Sequence, residues 1–204
     1  VVSTPSNDTT PSVVISSNEA GTITSSLAIT SGDSGISGDN TITFDTLSAG
    51  TYTPTVTFTD ASGNESIVTL TSFVIDTAAP TLSEQTVVST PSNDTTPSYI
   101  FTTDEAGTIT TSISQGFSTS PSALTGSNQT IIFNTLPEGT YSGETITVTD
   151  TAGNPGSITI PDFVIDTAAP TITAIQTTAF SWGSVLNATE DNSDGTVSVT
   201  TSGA

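Results

Sequence analysis

Hydroxyls aside, the side chains here that can do chemistry are carboxylates and carboxamides. Among 204 residues there are 20 Asp and Glu and no Lys, Arg, His, Cys or Met, for a formal charge of −20. The acids recur in a fixed pattern. Asn18 and Glu19 are matched by Asp104 and Glu105 at an offset of 86 residues, and Asp60, Asn64 and Asp76 by Asp150, Asn154 and Asp166 at an offset of 90. Hard oxygen donors gathered without a counter-cation suit Ca2+, which takes about six to eight oxygens. The same residues have a plainer use, since acids in turns accept hydrogen bonds from nearby backbone and keep a protein soluble. The two readings differ in whether acids from separate loops converge.

The segments that must position these acids are duplicated with them. VVSTPSNDTTPS starts at Val1 and again at Val87, TITFDTLSAGTY ending at Tyr52 returns as TIIFNTLPEGTY ending at Tyr141, and FVIDTAAPT returns whole. The second copy is therefore longer by four residues, three before its TIIF strand and one between Tyr141 and Asp150. Insertions that leave the flanking pattern intact point to two copies of one folded unit of about 90 residues, a usual size for a small all-β domain. The expected divisions are 1–76, 77–166 and a partial third unit at 167–204.

Periodicity is two almost throughout: Val56 and Phe58 alternate with Thr55, Thr57 and Thr59, and Ile146 and Val148 with Thr145, Thr147 and Thr149. That is half-buried β-structure, and the β-branched residues in these runs disfavour helix. No helix longer than a single turn is expected. In the second copy the expected strands are 81–90, 98–103, 108–114, 130–136, 140–149 and 157–165, with room for one more short strand before residue 130. Six or seven short strands divided by Gly, Pro, Asn and Asp fit an all-β fold of tandem immunoglobulin-like Greek-key β-sandwiches. Tyr52 and Tyr141 stand where a tyrosine corner would sit. Ile42, Phe44, Leu47, Val56, Phe58 and Ile75 are expected in the first core, and Ile100, Ile131, Phe133, Leu136, Ile146, Val148 and Ile165 in the second.

In such a sandwich the loops at 104–105 and 150–154 share one pole with the linker that carries Asp76. Asp76, Asp104, Glu105, Asp150 and Asn154 are thus expected to meet near the joint between copies. Asn7 and Asp8, at the opposite pole of the first copy, face the same joint and could add a ligand across it. Glu19, Asp60, Asn18 and Asn64 form the corresponding pole of the first copy, where no preceding linker is present, so a weaker or empty site is expected. Asp166, Asn93 and Asp94 face the third segment. Asp33 and Asp39, in a Gly-rich loop, read as turn residues.

The TPSNDTTPS opening, the EAGTI turn, the L-x-x-G-T-Y corner, the TD-x-x-GN loop and the IDTAAPT linker, in this order in both copies, resemble bacterial Ig-like repeats of large extracellular adhesins. The likeness covers residues 1–170, and SWGSVLNATEDNSDGTVSVTTSGA resembles the start of another such repeat. The resemblance implies a passive stalk at the cell surface or in the extracellular space, projecting a binding tip and often stiffened by Ca2+.

Composition excludes several other functions. Without cations the chain cannot neutralise phosphates, which argues against nucleic-acid binding and docking on anionic membranes. No run reaches the ~18 apolar residues of a membrane span. Disulfides and Lys-to-Asn isopeptide staples are ruled out by composition. Catalysis is disfavoured because no base is present to activate Ser or Thr, and a carboxylate pair repeated in both copies fits a structural feature better than an active site. The N-x-S/T triplets at Asn7, Asn64, Asn93, Asn128 and Asn187 are potential glycosylation sites, and Trp182 is expected to pack within the third unit. Export route and anchor leave no trace in these residues.

The partners expected are neighbouring repeats, in cis or in trans. The first copy has no counterpart of residues 77–86, and the third segment supplies strands without a complete domain. Two organisations follow: a spacer cut from a longer stalk, or a subunit of an extracellular fibre built head-to-tail by strand complementation between protomers.

Overall fold

The computed structural model describes residues 1–175 and 199–202. The first repeat contains β1 (Ser12–Ser17), β2 (Gly21–Ser25), β3 (Ile29–Ser31), β4 (Ser34–Gly35), β5 (Gly38–Phe44), β6 (Gly50–Tyr52), β7 (Thr55–Asp60), β8 (Glu65–Thr69) and β9 (Phe73–Ile75). The second contains β10 (Leu82–Thr86), β11 (Ser98–Thr103), β12 (Gly107–Thr111), β13 (Ser122–Ala123), β14 (Gln129–Ile132), β15 (Gly139–Tyr141), β16 (Thr145–Asp150), β17 (Pro155–Thr159) and β18 (Phe163–Ile165). Beyond them β19 (Thr171–Ile175) pairs with β20 (Val199–Ser202). No helix occurs among the described residues, and the protein is all-β, as its two-residue periodicity requires.

Each repeat is a sandwich of antiparallel sheets around its own core. In the second, β10-β11-β14 faces β13-β12-β16-β17; in the first, β1-β5-β3 faces β4-β2-β7-β8. One core gathers Phe44, Phe73, Ile23, Ile42 and Ile75, the other Tyr99, Phe101, Phe133, Phe163, Ile131 and Ile146, all fully buried. Each such side chain contributes about 1.5–3 kcal/mol through removal from water, while the Thr on alternate positions stays at the surface.

Two core assignments made from sequence change. Ile100 is only half-buried, because in SYIFTT the larger Tyr99 and Phe101 take the inward positions and leave Ile100 on the opposite face. Phe58 is half-buried as well, since its ring lines an open groove between β1 and β8. Its size is matched by its neighbour: a Cβ on Gly35 would fall 2.4 Å from the Phe58 ring. Where the second repeat has the smaller Val148, the residue equivalent to Gly35 is Ala123. The pair changes together and the volume is conserved.

The expected long strands 140–149 and 157–165 are each broken. β15 pairs with β18 and β16 with β17, and the chain steps between them at Ser142–Glu144 and Ile160–Asp162. Proline at 161 cannot donate to a ladder, and Gly143 has φ 70°, a conformation that favours glycine. The residue inserted between Tyr141 and Asp150 is absorbed in this step. The expected strand 81–90 ends at Thr86, and the following segment crosses over so that Ser92 bridges Ile165 in parallel, as Ser6 bridges Ile75.

Both tyrosines close a corner. Tyr52 donates to the Ser48 carbonyl and Tyr141 to the Pro137 carbonyl, each at 2.9 Å and four residues upstream. The Tyr141 ring stacks on Phe163 with centroids 4.9 Å apart. Tyr141→Phe keeps that stack and removes one hydrogen bond, so it lowers stability by about 1 kcal/mol. Denaturant unfolding checks this: the midpoint should fall with the slope unchanged.

Candidate metal centre at the joint

The acidic residues are positioned by three features that meet where the first sandwich passes into the second. Asp76 follows β9, Glu105 sits in the turn between β11 and β12, and Asp150 ends β16. One carboxylate oxygen from each of Asp76, Glu105 and Asp150 lies within 4.8 Å of the other two. All three side chains are half-buried.

A frame of neutral hydrogen bonds holds them there. The Asn154 amide, 8% exposed, donates at 2.9 Å both to the Asp76 carbonyl and to Asp150 Oδ2. Asp150 Oδ1 accepts from the backbone N–H of Gly153 at 2.7 Å and of Asn154 at 2.8 Å. Downstream, Asp104 Oδ1 accepts from the Thr81 N–H at 2.6 Å, which ties the linker to the β11–β12 turn. Between these points Pro80 lies on β17, and a Cβ on Gly156 would fall 1.7 Å from the Pro80 carbonyl oxygen. Only glycine at 156 admits the linker on this path.

The first repeat reaches across to the same loop. The Asn7 N–H donates to the Ala152 carbonyl and its side-chain amide to the Gly153 carbonyl, both at 3.0 Å. Asn7 thus docks on backbone, and its side-chain nitrogen is committed to that contact. Asp8 is turned to its own loop, where Oδ1 accepts from the Thr10 N–H at 2.9 Å. Asp104 is likewise occupied by Thr81, and Asn154 acts as the strut between two acids.

The remaining candidates stand apart from this joint. Asp60 is held by Asn64 and by the Ser62 and Asn64 N–H groups, in the same turn that Asp150 forms. It lines the open groove with Glu19, Asn18 and Asn64. Asp166 Oδ1 accepts from the Ala168 N–H at 2.9 Å, matching Asp76 and Ala78. Asp94 closes its turn onto Thr96 as Asp8 does onto Thr10, and Asp39 accepts from Ser16. Trp182 and Asn187 lie outside the described residues. Sequence reasoning did not find Gly156 or Pro80; the signal was the change from Ser66 to Gly156 between otherwise parallel repeats.

The electrostatics divide the three acids. Glu105 is pushed above the usual carboxylate range, first by desolvation, then by the charges of Asp76, Asp150 and Asp104. For Asp150 desolvation is the largest single influence and pushes upward, but hydrogen bonds from Asn154, Gly153 and Ala152 outweigh it and its pKa is lowered. Asp104 is lowered chiefly by the Thr81 N–H and Asp60 by Asn64. Such a cluster can bind a divalent cation or share a proton.

No protein-family model matches this chain, and no curated protein sequence matches it.

These shifts fix a pH dependence. Glu105 has its folded pKa raised, so its ionised form opposes folding, fully above the folded value, and the opposition fades as pH falls toward the ordinary Glu range. Asp150 is the reverse: its contribution is present above the ordinary Asp range and lost as pH falls through its lowered folded value. In metal-free buffer at neutral pH, Glu105→Gln should therefore raise the thermal midpoint and Asp150→Asn lower it. Melting curves from pH 7 to about 3 should show the Glu105→Gln advantage disappearing as the wild-type carboxylate becomes protonated.

Proposed function

We propose that this chain is a run of structural spacer repeats, immunoglobulin-like sandwiches of a bacterial surface or secreted adhesin, with Ca2+ at the joint between them. The observation that carries the reading is the convergence of Asp76, Glu105 and Asp150 from the linker and two loops onto one point. In a protein with no cationic side chain, three carboxylates in such proximity repel unless a proton or a metal ion lies between them. Their donor set is all oxygen, as Ca2+ requires, and two-oxygen coordination by some of them leaves room for water in a six-to-eight-coordinate shell.

Asp76, Glu105 and Asp150 would hold the ion, with Asn154 and the Gly153 N–H orienting Asp150 behind it. Bound there, the ion would join the linker to the loops of the second sandwich, and the Asn7 contact joins those loops to the first. The two sandwiches then resist bending as a unit. A string of such units acts as a strut, and its partners are neighbouring repeats. The strand order, the paired tyrosine corners and the ordered repeat motifs support the immunoglobulin-like reading; surface or extracellular placement rests on the adhesin resemblance. The reading assigns no catalysis, because no base lies beside a nucleophile at the joint.

Thermal unfolding in Ca2+ and in chelator tests the proposal. Ca2+ at about 100 times its dissociation constant should stabilise the fold by about 2.7 kcal/mol. Asp76→Asn and Asp150→Asn should each remove most of that gain, while Asp166→Asn should leave it. An unchanged midpoint in saturating Ca2+ would sink the calcium site.

A further inference from the structure

We infer that the uncharged flank of the second sandwich, where β13 and β14 lie, is a contact surface for the same flank of a second copy of this chain, so that two copies associate side by side. The inference rests neither on the joint at Asp76 nor on an ion within it.

Strand order sets the flank. β10 and β17 pack together on one side of the second sandwich, so β13 and β14, the far edges of its two sheets, lie on the other. The 32 residues from Ala106 to Pro137, which form β12, β13, β14 and their connections, contain no Asp or Glu. With 20 acids in 204 residues, an even distribution would put about three there. The first repeat does carry three: Asp33, Asp39 and Asp45 stand where the second has Pro121, Asn128 and Asn134. Charge has been withdrawn from this flank in one repeat only. Asp104 and Glu105 bound it at one end, and Glu144, hydrogen-bonded to Ser112, bounds it at the other.

Exposed apolar surface accompanies the missing charge. Leu124, directly after β13, is 62% exposed, and Ile132 on β14 is 39% exposed. Ile36 holds the position of Leu124 in the first repeat and is 61% exposed. A buried amide fixes the backbone at both places. Gln129 Nε2 donates to the Leu124 carbonyl at 3.1 Å, while Asn40 accepts from the Ile36 N–H at 2.8 Å and donates to the Ile36 carbonyl at 2.9 Å. An aliphatic side chain held outward in this way loses less freedom when it is covered. Around Leu124 the surface is hydroxyl-bearing. Ile109 and Val148 are buried, so their neighbours Thr108, Thr110 and Thr147 take the outer face, with Ser122 beside Thr108 at the edge.

These features select a second copy as the occupant. A chain with a formal charge of −20 and no cationic side chain repels its own copies wherever acids face each other, and contact there buries carboxylates without a counter-charge. The flank at β13 and β14 lets two copies meet without that. Hydroxyls both donate and accept, so such a surface is complementary to itself. A cationic partner would be drawn instead to the acid-rich loops. β13 is only two residues long, too short an edge for strand addition, so side chains make the contact. Identical patches meeting in this way are related by a two-fold axis, and the assembly closes at a dimer.

Sedimentation velocity of the full chain in chelator, from micromolar to millimolar concentration and at low and high salt, tests this. The expected result is a monomer–dimer equilibrium that shifts toward dimer with concentration and also with salt, because salt screens the net repulsion while the neutral contact has no ion pair to lose. Leu124→Asp should raise the dissociation constant at least about tenfold, the equivalent of about 1.4 kcal/mol. Asn128→Asp, which restores the acid found in the first repeat, should also weaken the dimer. Ile36→Asp, the same change on the flank of the first repeat, should leave it intact, and equal thermal midpoints would show that all three variants fold. A chain that is monomeric in every condition, a dimer that survives both Leu124→Asp and Asn128→Asp, or one that Ile36→Asp weakens as much, would overturn the proposal.

Discussion

The joint depends on how the Asp76 segment is held against the second sandwich. The Asn154 amide grips the Asp76 carbonyl and Asp150 together, and Pro80 rests on the glycine at 156. With the linker fixed at both points, the Asp76 carboxylate lies close to those of Glu105 and Asp150. The crowding of negative charge is thus a consequence of neutral hydrogen bonding and close backbone packing. Carboxylates that would separate in water are kept together by groups that carry no charge, and Glu105, desolvated there and then facing the charges of Asp76 and Asp150, has its pKa raised.

The two repeats differ at this point, although their sequences run in parallel. Asp60 and Asn64 build the same turn as Asp150 and Asn154 with almost the same distances, so the same set of local hydrogen bonds shapes both loops. Among the described residues β1 pairs only with β5, where β11 has β10 beside it, and residue 66 is serine where residue 156 is glycine. The groove of the first repeat is open, Phe58 is half-buried, and Glu19, Asp60 and Glu65 line the groove together. The second repeat is the filled version of the same cavity, which makes each repeat the control for the other.

Much of this was legible from period and repetition. Alternating Thr and apolar residues gave the strands and most of both cores, and the duplicated Tyr52 and Tyr141 marked the corners where their hydroxyls are indeed bound. Offsets of 86 and 90 brought Asp76, Glu105 and Asp150 to one pole before any distance was known. What escaped was phase and contact. In Tyr99-Ile100-Phe101 three apolar residues in a row leave the inward face ambiguous, and ring size decided it. Asp104 and Asn154 suit a metal by type, and the structure adds contacts that type does not reveal, to the Thr81 N–H and to the Asp76 carbonyl. Asn7 reaches the expected joint and binds carbonyls there through its backbone and side-chain nitrogens, a contact that an asparagine's identity does not announce. The breaks at Ser142–Glu144 and Ile160–Asp162 were carried by Gly143 and Pro161, whose meaning emerges only when the two strands are seen to step together.

If the joint is a hinge converted into a strut, its stiffness must depend on the ion that the three carboxylates would hold. Small-angle X-ray scattering of the monomeric chain, in Ca2+ and then in chelator, measures that stiffness through the maximum dimension and the spread of interdomain distances. The account predicts a longer, narrower distribution with Ca2+ that broadens and shortens on chelation, and that the Asp76→Asn variant no longer responds. Identical scattering in both conditions, with Ca2+ in excess, would contradict it.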